Sequence, residues 1–320
     1  MNDPLVTVIM PCYNAEKYVE SSVRSIMSQT YKNIEILVAD DFSTDTTFEI
    51  LQKAAKGDPR IIVLKNECNL KIVKTLNKMV KLASGKYIAR MDADDIALPT
   101  RIEKQVAFLE SNPNYAMCGT NAWLINKWGE KIGESCLPIR FEDNKFFLTF
   151  YSTFYHPTVM FRAHILKENQ YSEKFPYAED YELWCRLVFE KELKITNIKE
   201  KLLEYRIFKN QTSTVHFTEQ NESCKRIVQK YRLISEKDLE SHVGVFFENR
   251  QDQQKKQYKY LKELNKTLAK TEFEYAFPVY SRILFRLKNI SPSKFLKMLF
   301  TFRYFYTFCR VLKRKTELSI

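Results

Sequence analysis

The chain has 320 residues, of which 45% are hydrophobic and 28% charged, a composition typical of a folded globular protein and not of a disordered one. Its formal net charge is +12, but residues 281–320 carry ten basic side chains against one acidic, which leaves only +3 for the rest. Because this charge is confined to one end and no RNA-reading motif is present, we expect no nucleic-acid partner. The seven cysteines include no CxxC pair, which disfavours a zinc site.

Short apolar runs alternate with amphipathic helical stretches over the first hundred residues. This alternation predicts an α/β fold with a mainly parallel central sheet and flanking helices. Ser43 is predicted to cap the second helix, and Pro99 to open the fourth. The predicted strands of this half are Val6–Met10, Ile34–Ala39, Ile61–Leu64 and Tyr87–Met91.

The pattern changes after the fourth helix. A hairpin is predicted around Trp128-Gly129-Glu130, followed by a strand at Val159–Phe161, a helix at Asp180–Phe189 and a strand at Leu202–Arg206. From about His216 onward the chain is predicted to be helical.

An acidic run follows the fourth predicted strand: Asp92, Asp94 and Asp95 lie within four positions. Three close carboxylates repel one another unless a cation neutralises them. Their hard oxygen ligands favour Mg²⁺ or Mn²⁺, ions that bridge a carboxylate and a diphosphate. The alternative is an acidic turn that caps the next helix.

Polar turns also follow the first two strands, and carboxyl ends of parallel strands form the binding edge of such sheets. The first turn contains Tyr13, whose ring can stack on a base. The second contains Asp40 and Asp41, carboxylates able to accept the imide N–H of uracil. Together they predict a nucleoside pocket, and two helix-capping turns are the alternative.

Five segments, taken together, resemble the family-two inverting glycosyltransferases with the GT-A fold. They are Val-Ile-Met-Pro-Cys-Tyr-Asn (8–14), Ser-Gln-Thr-Tyr (28–31), Ala-Asp-Asp-Phe-Ser-Thr-Asp (39–45), Ala-Arg-Met-Asp-Ala-Asp-Asp (89–95) and Ala-Glu-Asp-Tyr-Glu-Leu-Trp (178–184). The resemblance implies a catalytic domain over residues 1–218, with a nucleotide-binding half at 1–98 and an acceptor-binding half at 99–218. A basic helical region would follow at 219–320.

The resemblance also implies roles for individual residues. Asp94, with Asp92, would bind the metal that holds the diphosphate of a UDP-sugar. Asp180 would be the catalytic base, with Glu179 positioning it or the acceptor; a helix N-terminus that favours acids is the alternative. The remaining residues would line the nucleotide-sugar: Pro11, Tyr13, Asn14, Asp41, Asn69, Asn77, Arg90, Asp92 and Arg206, with Thr212 and Ser213 near the diphosphate.

Two positions depart from the family pattern. Phe42 and Lys71 stand where glycine is common, and both lie beside the expected nucleotide pocket. They leave the shape of its loops open, but they remove no charged group that the chemistry needs.

The acceptor is expected to be a saccharide or a lipid-linked saccharide. His156 and Trp123 are candidate acceptor contacts. A lone histidine is more often a structural group, and a packed hairpin explains Trp123 equally well. The basic aromatic stretch near the C-terminus has the pattern of a helix lying in a membrane interface, which predicts a cytoplasmic protein peripheral to the inner face of the cell membrane. Packing of this stretch against the catalytic domain is the alternative.

Two functions other than sugar transfer have different residue requirements. A sugar-phosphate nucleotidyltransferase would need a Gly-rich basic loop after the first strand, which Pro11-Cys12-Tyr13-Asn14 does not supply. A non-catalytic nucleotide-sugar or polysaccharide binding protein would not need Asp180, because binding requires no base.

Overall fold

The computed structural model describes residues 3–208 and 215–231. The first half alternates strands and helices, as the apolar pattern predicts. Strand β1 is buried along its whole length because helices cover both faces of the sheet. The elements are β1 (Val6–Cys12), α1 (Val19–Met27), β2 (Ile34–Asp40), α2 (Thr47–Gly57), β3 (Ile61–Lys65), α3 (Lys71–Leu82) and β4 (Tyr87–Arg90).

The second half adds antiparallel strands and shorter helices. The predicted hairpin around residue 129 is confirmed as β6 paired with β7. Its elements are β5 (Ile96–Ala97), α4 (Arg101–Ser111), β6 (Tyr115–Ile125), β7 (Lys131–Glu134), α5 (Phe141–Phe147), a 3₁₀ turn (His156–Thr158), β8 (Met160–Arg162), α6 (Ala163–Glu168), α7 (Glu179–Cys185) with a π-helical turn (Arg186–Glu190), β9 (Lys194–Arg206) and α8 (Phe217–Lys230).

The nine strands of the described residues form one sheet with the order β3-β2-β1-β4-β8-β6-β9-β5, and β7 pairs with β6. Strands β3, β2, β1 and β4 run parallel, whereas β8 is antiparallel to both of its neighbours. The chain moves outward from β1 to β3 and then returns to place β4 on the other side of β1. A crevice opens where strand order reverses in this way, at the carboxyl ends of β1 and β4.

Two apolar cores lie on the two faces of the sheet. One contains Leu76 and Val80 of α3 with Trp184 of α7, and the other contains Val23 and Ile26 of α1. The Trp184 ring stacks on Phe161 of β8 at 5.6 Å between centroids. Helix α7, which carries Glu179 and Asp180, is therefore anchored directly to the sheet.

The predicted helix cap at Ser43 is wrong. Helix α2 begins at Thr47, and the Ser43 hydroxyl instead accepts a hydrogen bond from the Asn14 amide at 3.0 Å. Ser43 is recruited by the loop after β1, a contact across 29 residues that local pattern cannot reveal. Helix α8 begins at Phe217, as the prediction of helical structure from about His216 indicates.

The domain boundaries stay predictions. The sheet continues across residue 98, since β5 and β9 pair within it. Thr212, Ser213 and the basic segment 281–320 lie outside the described residues. Within the described residues, no helix is long and apolar enough to cross a membrane.

Candidate active site

The turn after β1 is tied to the turn after β2 by polar contacts. The Cys12 carbonyl accepts from the Asp41 amide at 2.8 Å, and the Asn14 side-chain oxygen accepts from the Thr44 amide at 2.9 Å. Asn14 adopts a positive φ of 47°, a conformation that Asn tolerates better than most residues. These contacts hold Tyr13, 51% exposed, at the edge of the sheet just beyond the buried Pro11.

Asp41 is almost fully buried, and one of its carboxylate oxygens is fully engaged. That oxygen accepts from the Asn66 side-chain amide at 2.7 Å and from the Leu70 amide at 2.8 Å. The other oxygen has no hydrogen-bond partner in the described part of the chain. An oriented carboxylate with one open oxygen is suited to accept an N–H group from a bound base.

Phe42 and Lys71 both adopt left-handed backbone conformations, with φ values of 66° and 67°. Glycine is common in the family at these positions because it reaches such angles without strain. The two loops therefore keep the backbone conformation that glycine would favour, and Phe42 and Lys71 adopt it with more strain than glycine would.

Three carboxylates converge at the end of β4. Ligand oxygens of Asp92, Asp94 and Asp95 all lie within 4.8 Å of one another. Burial, followed by repulsion from Asp92, raises the pKa of Asp94 to about 7. Burial and the carboxylates of Asp94 and Asp92 raise the pKa of Asp95 well above its ordinary value. Negative charge is therefore costly here unless a cation compensates it.

The two carboxylate oxygens of Asp95 differ in their hydrogen bonding. Its Oδ1 accepts from the Arg206 amide at 2.7 Å, which ties the acidic loop to the end of β9. Its Oδ2 is buried and has no hydrogen-bond partner in the residues that the structure describes. An orphaned carboxylate oxygen beside two further carboxylates is a donor set that fits a hard divalent cation such as Mg²⁺ or Mn²⁺.

Arg90 is a buried cation at the centre of the site. Its side chain is only 5% exposed and forms an ion pair with Asp92. Its Nε is buried and lacks a hydrogen-bond partner within the described ranges. A buried guanidinium with an open donor is costly in isolation, so it points to a charged or polar ligand at this place.

Glu179 and Asp180 begin α7 with carboxylates that the protein makes more basic. Burial, followed by the Asp180 carboxylate, raises the pKa of Glu179 to about 7. Burial raises the pKa of Asp180 to about 6, although its Oδ1 accepts from the Tyr181 amide at 2.7 Å. A helix N-terminus acting alone would lower both values, so desolvation outweighs the helix dipole here.

The motifs at β4 and α7 lie close enough for their charges to act on one another. The Arg90 cation lowers, and the Asp92 carboxylate raises, the pKa of both Glu179 and Asp180. The Arg90 charge also acts on Asp94. The turn after β1 also lies near the acidic loop, because Asp92 and Asp94 act on the Cys12 thiol. Residues separated by more than 160 positions therefore share one electrostatic environment.

Several predicted site residues are engaged by the protein itself. The Asn77 amide bonds to both the carbonyl and the amide of Tyr171, each at 2.9 Å. The Asn69 side chain accepts from the Lys71 amide at 3.1 Å. The Arg206 guanidinium donates to the Asp94 carbonyl at 2.8 Å and packs over the Tyr18 ring at 4.4 Å. These contacts position the loops around the site.

The two acceptor candidates differ in their placement. His156 Nε2 lies 2.8 Å from the Tyr171 hydroxyl, and burial, then Arg90, lowers the pKa of the ring well below its usual range. His156 is therefore a neutral part of the site wall. Trp123 lies on β6, where the ammonium groups of Lys131 and Lys201 approach its ring at 4.5 and 4.6 Å.

Sequence reasoning missed a cavity of about 210 Å³ beside Asp180. The turn after α5, the start of α7 and one face of α8 line it. Pattern analysis gives no signal for this cavity, because its three walls are far apart in the chain. It also missed Tyr171, whose hydroxyl bonds His156.

The sheet has the GT-A arrangement of glycosyltransferases, and its acidic loop lies near enough to the Glu179-Asp180 pair for their charges to interact. The chain belongs to glycosyl transferase family 2, whose model matches residues 7–169. The Glu179-Asp180 pair and α8 lie beyond that match.

Two relatives and one solved structure illustrate the similarity. An uncharacterized glycosyltransferase of Haemophilus influenzae is 39% identical over 236 residues, which cover 71% of this chain and 72% of that protein. The Escherichia coli UDP-Glc:alpha-D-GlcNAc-diphosphoundecaprenol beta-1,3-glucosyltransferase WfgD is 33% identical over 220 residues, covering 68% and 83%. Staphylococcus aureus TarS (residues 1–349, with UDP-GlcNAc) superposes with a TM-score of 0.61 at 18% identity, covering 89% and 87%.

Proposed function

We propose that the protein is an inverting glycosyltransferase that moves a sugar from a UDP-sugar to a hydroxyl of a glycan or lipid-linked acceptor, in bacterial surface polysaccharide biosynthesis. One observation carries this proposal: the partly exposed Asp180, with its pKa raised to about 6, lies near enough to the Arg90–Asp92 ion pair for both charges to act on it. A binding protein has no need of such a base.

The turns after β1 and β2 support a uridine nucleotide as the donor. Tyr13 offers an exposed ring for stacking, and Asp41 offers an oriented carboxylate oxygen to the base. The relative WfgD is named for a UDP-Glc donor and a diphosphoundecaprenol-linked acceptor, and TarS was solved with UDP-GlcNAc. Both support UDP here, and WfgD supports a lipid-linked saccharide acceptor.

Asp94 and Asp92 would hold a divalent ion, Mg²⁺ or Mn²⁺, with Asp95 behind them. When bound, this ion would neutralise charge on the donor diphosphate. Arg90 supplies a fixed positive charge beside it. Arg206 keeps the acidic loop in place through the Asp94 carbonyl and the Asp95 carboxylate.

The reaction is a single displacement. Asp180 takes the proton of the acceptor hydroxyl as that oxygen forms a bond to the anomeric carbon. The bond from this carbon to the diphosphate breaks at the same time, and UDP leaves with the electron pair. Attack from the face opposite the leaving group inverts the configuration, so an α-linked donor yields a β-linked product.

The test measures UDP release from UDP-sugars with acceptor present, with and without a chelator. We expect Asp180→Asn to lower kcat by at least about 100-fold while it still binds UDP-sugar, because a general base is lost. Asp94→Asn should abolish transfer and weaken Mn²⁺ binding, measured by titration calorimetry. Glu49→Gln, an exposed acid on α2, is the matched control and should behave like the unmodified protein.

Two outcomes would contradict the proposal. Near-normal turnover by Asp180→Asn would show that Asp180 is not the catalytic base. Binding of UDP-sugars without release of UDP, over a panel of donors and acceptors, would favour a binding protein. NMR of the product's anomeric proton tests inversion separately.

A further inference from the structure

The cavity beside Asp180 is separate from the pocket expected for the nucleotide. Its floor is Asp180, and its walls are Phe150–Ser152 after α5 and residues of α8, among them Phe217, Gln220 and Asn221. The turns that carry Tyr13 and Asp41 are not part of its lining.

Asp180 links this cavity to the acidic loop. Asp180 lines the cavity, and the charges of Arg90 and Asp92, which do not line it, also act on the Asp180 carboxylate. A hydroxyl in the cavity that contacted Asp180 would therefore be directed toward the place where the donor diphosphate is expected. This is the position that an acceptor must occupy for its proton to reach the base.

The lining of the cavity combines aromatic rings with amide and hydroxyl groups. Phe150 and Tyr151 provide apolar surface, and Phe217 is 58% exposed at the wall formed by α8. Asn221 has no hydrogen-bond partner in the described part of the chain, and Gln220 keeps its side-chain oxygen available because only its Nε2 is engaged, with the Tyr177 carbonyl at 2.8 Å. A sugar ring has an apolar face and a rim of hydroxyls, which such a lining matches.

The volume of the cavity limits the size of the ligand that it can enclose. At about 210 Å³ it falls below the roughly 300–1,000 Å³ of pockets for drug-sized ligands. One monosaccharide ring suits this volume, whereas an extended glycan would have to continue into solvent.

The wall formed by α8 is fixed before any ligand binds. Ser223 Oγ donates to the Pro176 carbonyl at 2.9 Å, and Arg226 donates to the Lys174 carbonyl at 2.9 Å. Lys230 at the end of the helix bonds the buried carboxylate of Glu182 at 3.0 Å. These contacts join α8 to the segment that carries Glu179 and Asp180, so the cavity wall is tied to the element that carries the base.

We propose that this cavity is the subsite for the terminal sugar ring of the acceptor, and that Asn221 of α8 selects that ring by hydrogen bonding. The inference rests on the proposed transferase function and deepens it. Because α8 lies outside the segment that matches the family model, the family match does not itself assign this role to Asn221.

The experiment is saturation-transfer NMR of the full chain loaded with UDP and Mg²⁺. The probes are the methyl α-glycosides of N-acetylglucosamine, N-acetylgalactosamine, glucose and galactose at millimolar concentration. We expect at least one glycoside to bind the unmodified protein and to lose binding in Asn221→Phe, which fills the cavity. Gln229→Phe, an exposed position on the same helix, is the control and should retain binding.

UDP affinity within twofold of the unmodified protein shows that Asn221→Phe is folded. If UDP binding is also lost, Asn221→Ala decides: about tenfold weaker glycoside binding supports the subsite, and unchanged binding overturns it. Equal glycoside binding in Asn221→Phe and Gln229→Phe, or no binding of any probe to the unmodified protein, also overturns it. These readouts need no turnover, so failure of the subsite is distinguishable from failure of the transferase, which is judged by UDP release.

Discussion

Asp180 shows how burial changes the chemistry of one side chain. An exposed aspartate has a pKa near 3.8 and is a weak base, whereas desolvation in this cleft raises the pKa to about 6. A base is most effective when its pKa lies near the working pH, because much of it is then ionised and it still has a high affinity for a proton. The protein obtains this value by packing the start of α7 against the sheet.

The first prediction at this scale is a pH profile. Asp180 must be ionised to accept a proton, so kcat should fall about tenfold per unit as the pH drops below about 6 and should level off above it. The measurement is kcat against pH with donor and metal saturating, so that protonation of Asp94 does not limit metal binding. A kcat that stays constant down to pH 4.5 would exclude Asp180 as the base.

The second prediction concerns stability. The folded-state pKa of Asp180 is raised above the unfolded value, so folding favours the protonated form and the ionised form costs stability as the pH rises from about 4 to 6. A shift of about two pKa units corresponds to about 3 kcal/mol. With chelator present, Asp180→Asn should therefore raise the free energy of unfolding by about 1–3 kcal/mol at pH 8, and by little at pH 4.

The control for this measurement is Glu49→Gln, because an exposed carboxylate on α2 should change the free energy of unfolding by less than about 0.5 kcal/mol. Urea unfolding at the two pH values gives both numbers. A gain for Asp180→Asn that is equal at pH 4 and pH 8 would mean that charge burial is not its cause.

At the level of elements, the local sequence pattern predicts the helices and strands whose bounds are determined by residues close together in the chain. The four strands of the first half lie within two residues of their predicted ends, because apolar runs covered on both faces leave a continuous signal. The acidic loop at the end of β4 can also be predicted from the sequence, because neighbouring carboxylates repel one another unless a cation compensates them.

Long-range contacts explain what the sequence did not reveal. The Asp95–Arg206 contact joins residues 111 positions apart, and the Asn77–Tyr171 contacts span 94. Arg206 and Asn77 carry polar side chains suited to ligands, yet tertiary packing uses both to position loops. The cavity beside Asp180 depends on where α8 docks, which its apolar pattern alone does not determine.

For the whole molecule, the charge distribution gives a further prediction from sequence. The ten basic residues of segment 281–320 should attract anionic lipid at roughly 1 kcal/mol each for those near the surface. We expect the protein to sediment with vesicles containing phosphatidylglycerol at low salt and to be released at high salt. Replacing Lys313, Arg314 and Lys315 together with Gln should weaken this binding.

Vesicles of neutral phosphatidylcholine serve as the control and should bind weakly. Equal sedimentation of the triple Gln variant and the unmodified protein would show that these three side chains make no membrane contact. Packing of the segment on the catalytic domain would then be favoured.

The short strand β5 ties the acidic loop to the far edge of the sheet. The loop leaves the sheet at Arg90 in β4 and re-enters it at Ile96, opposite Glu204 of β9. Its two ends are thus clamped to strands that lie at separate places in the strand order, and the sheet must curl to bring them within reach of each other. The spacing of the three aspartates consequently depends on the curvature of the sheet. Substitutions that weaken the pairing of β5 with β9 should therefore lower the affinity for the cation before they affect other properties.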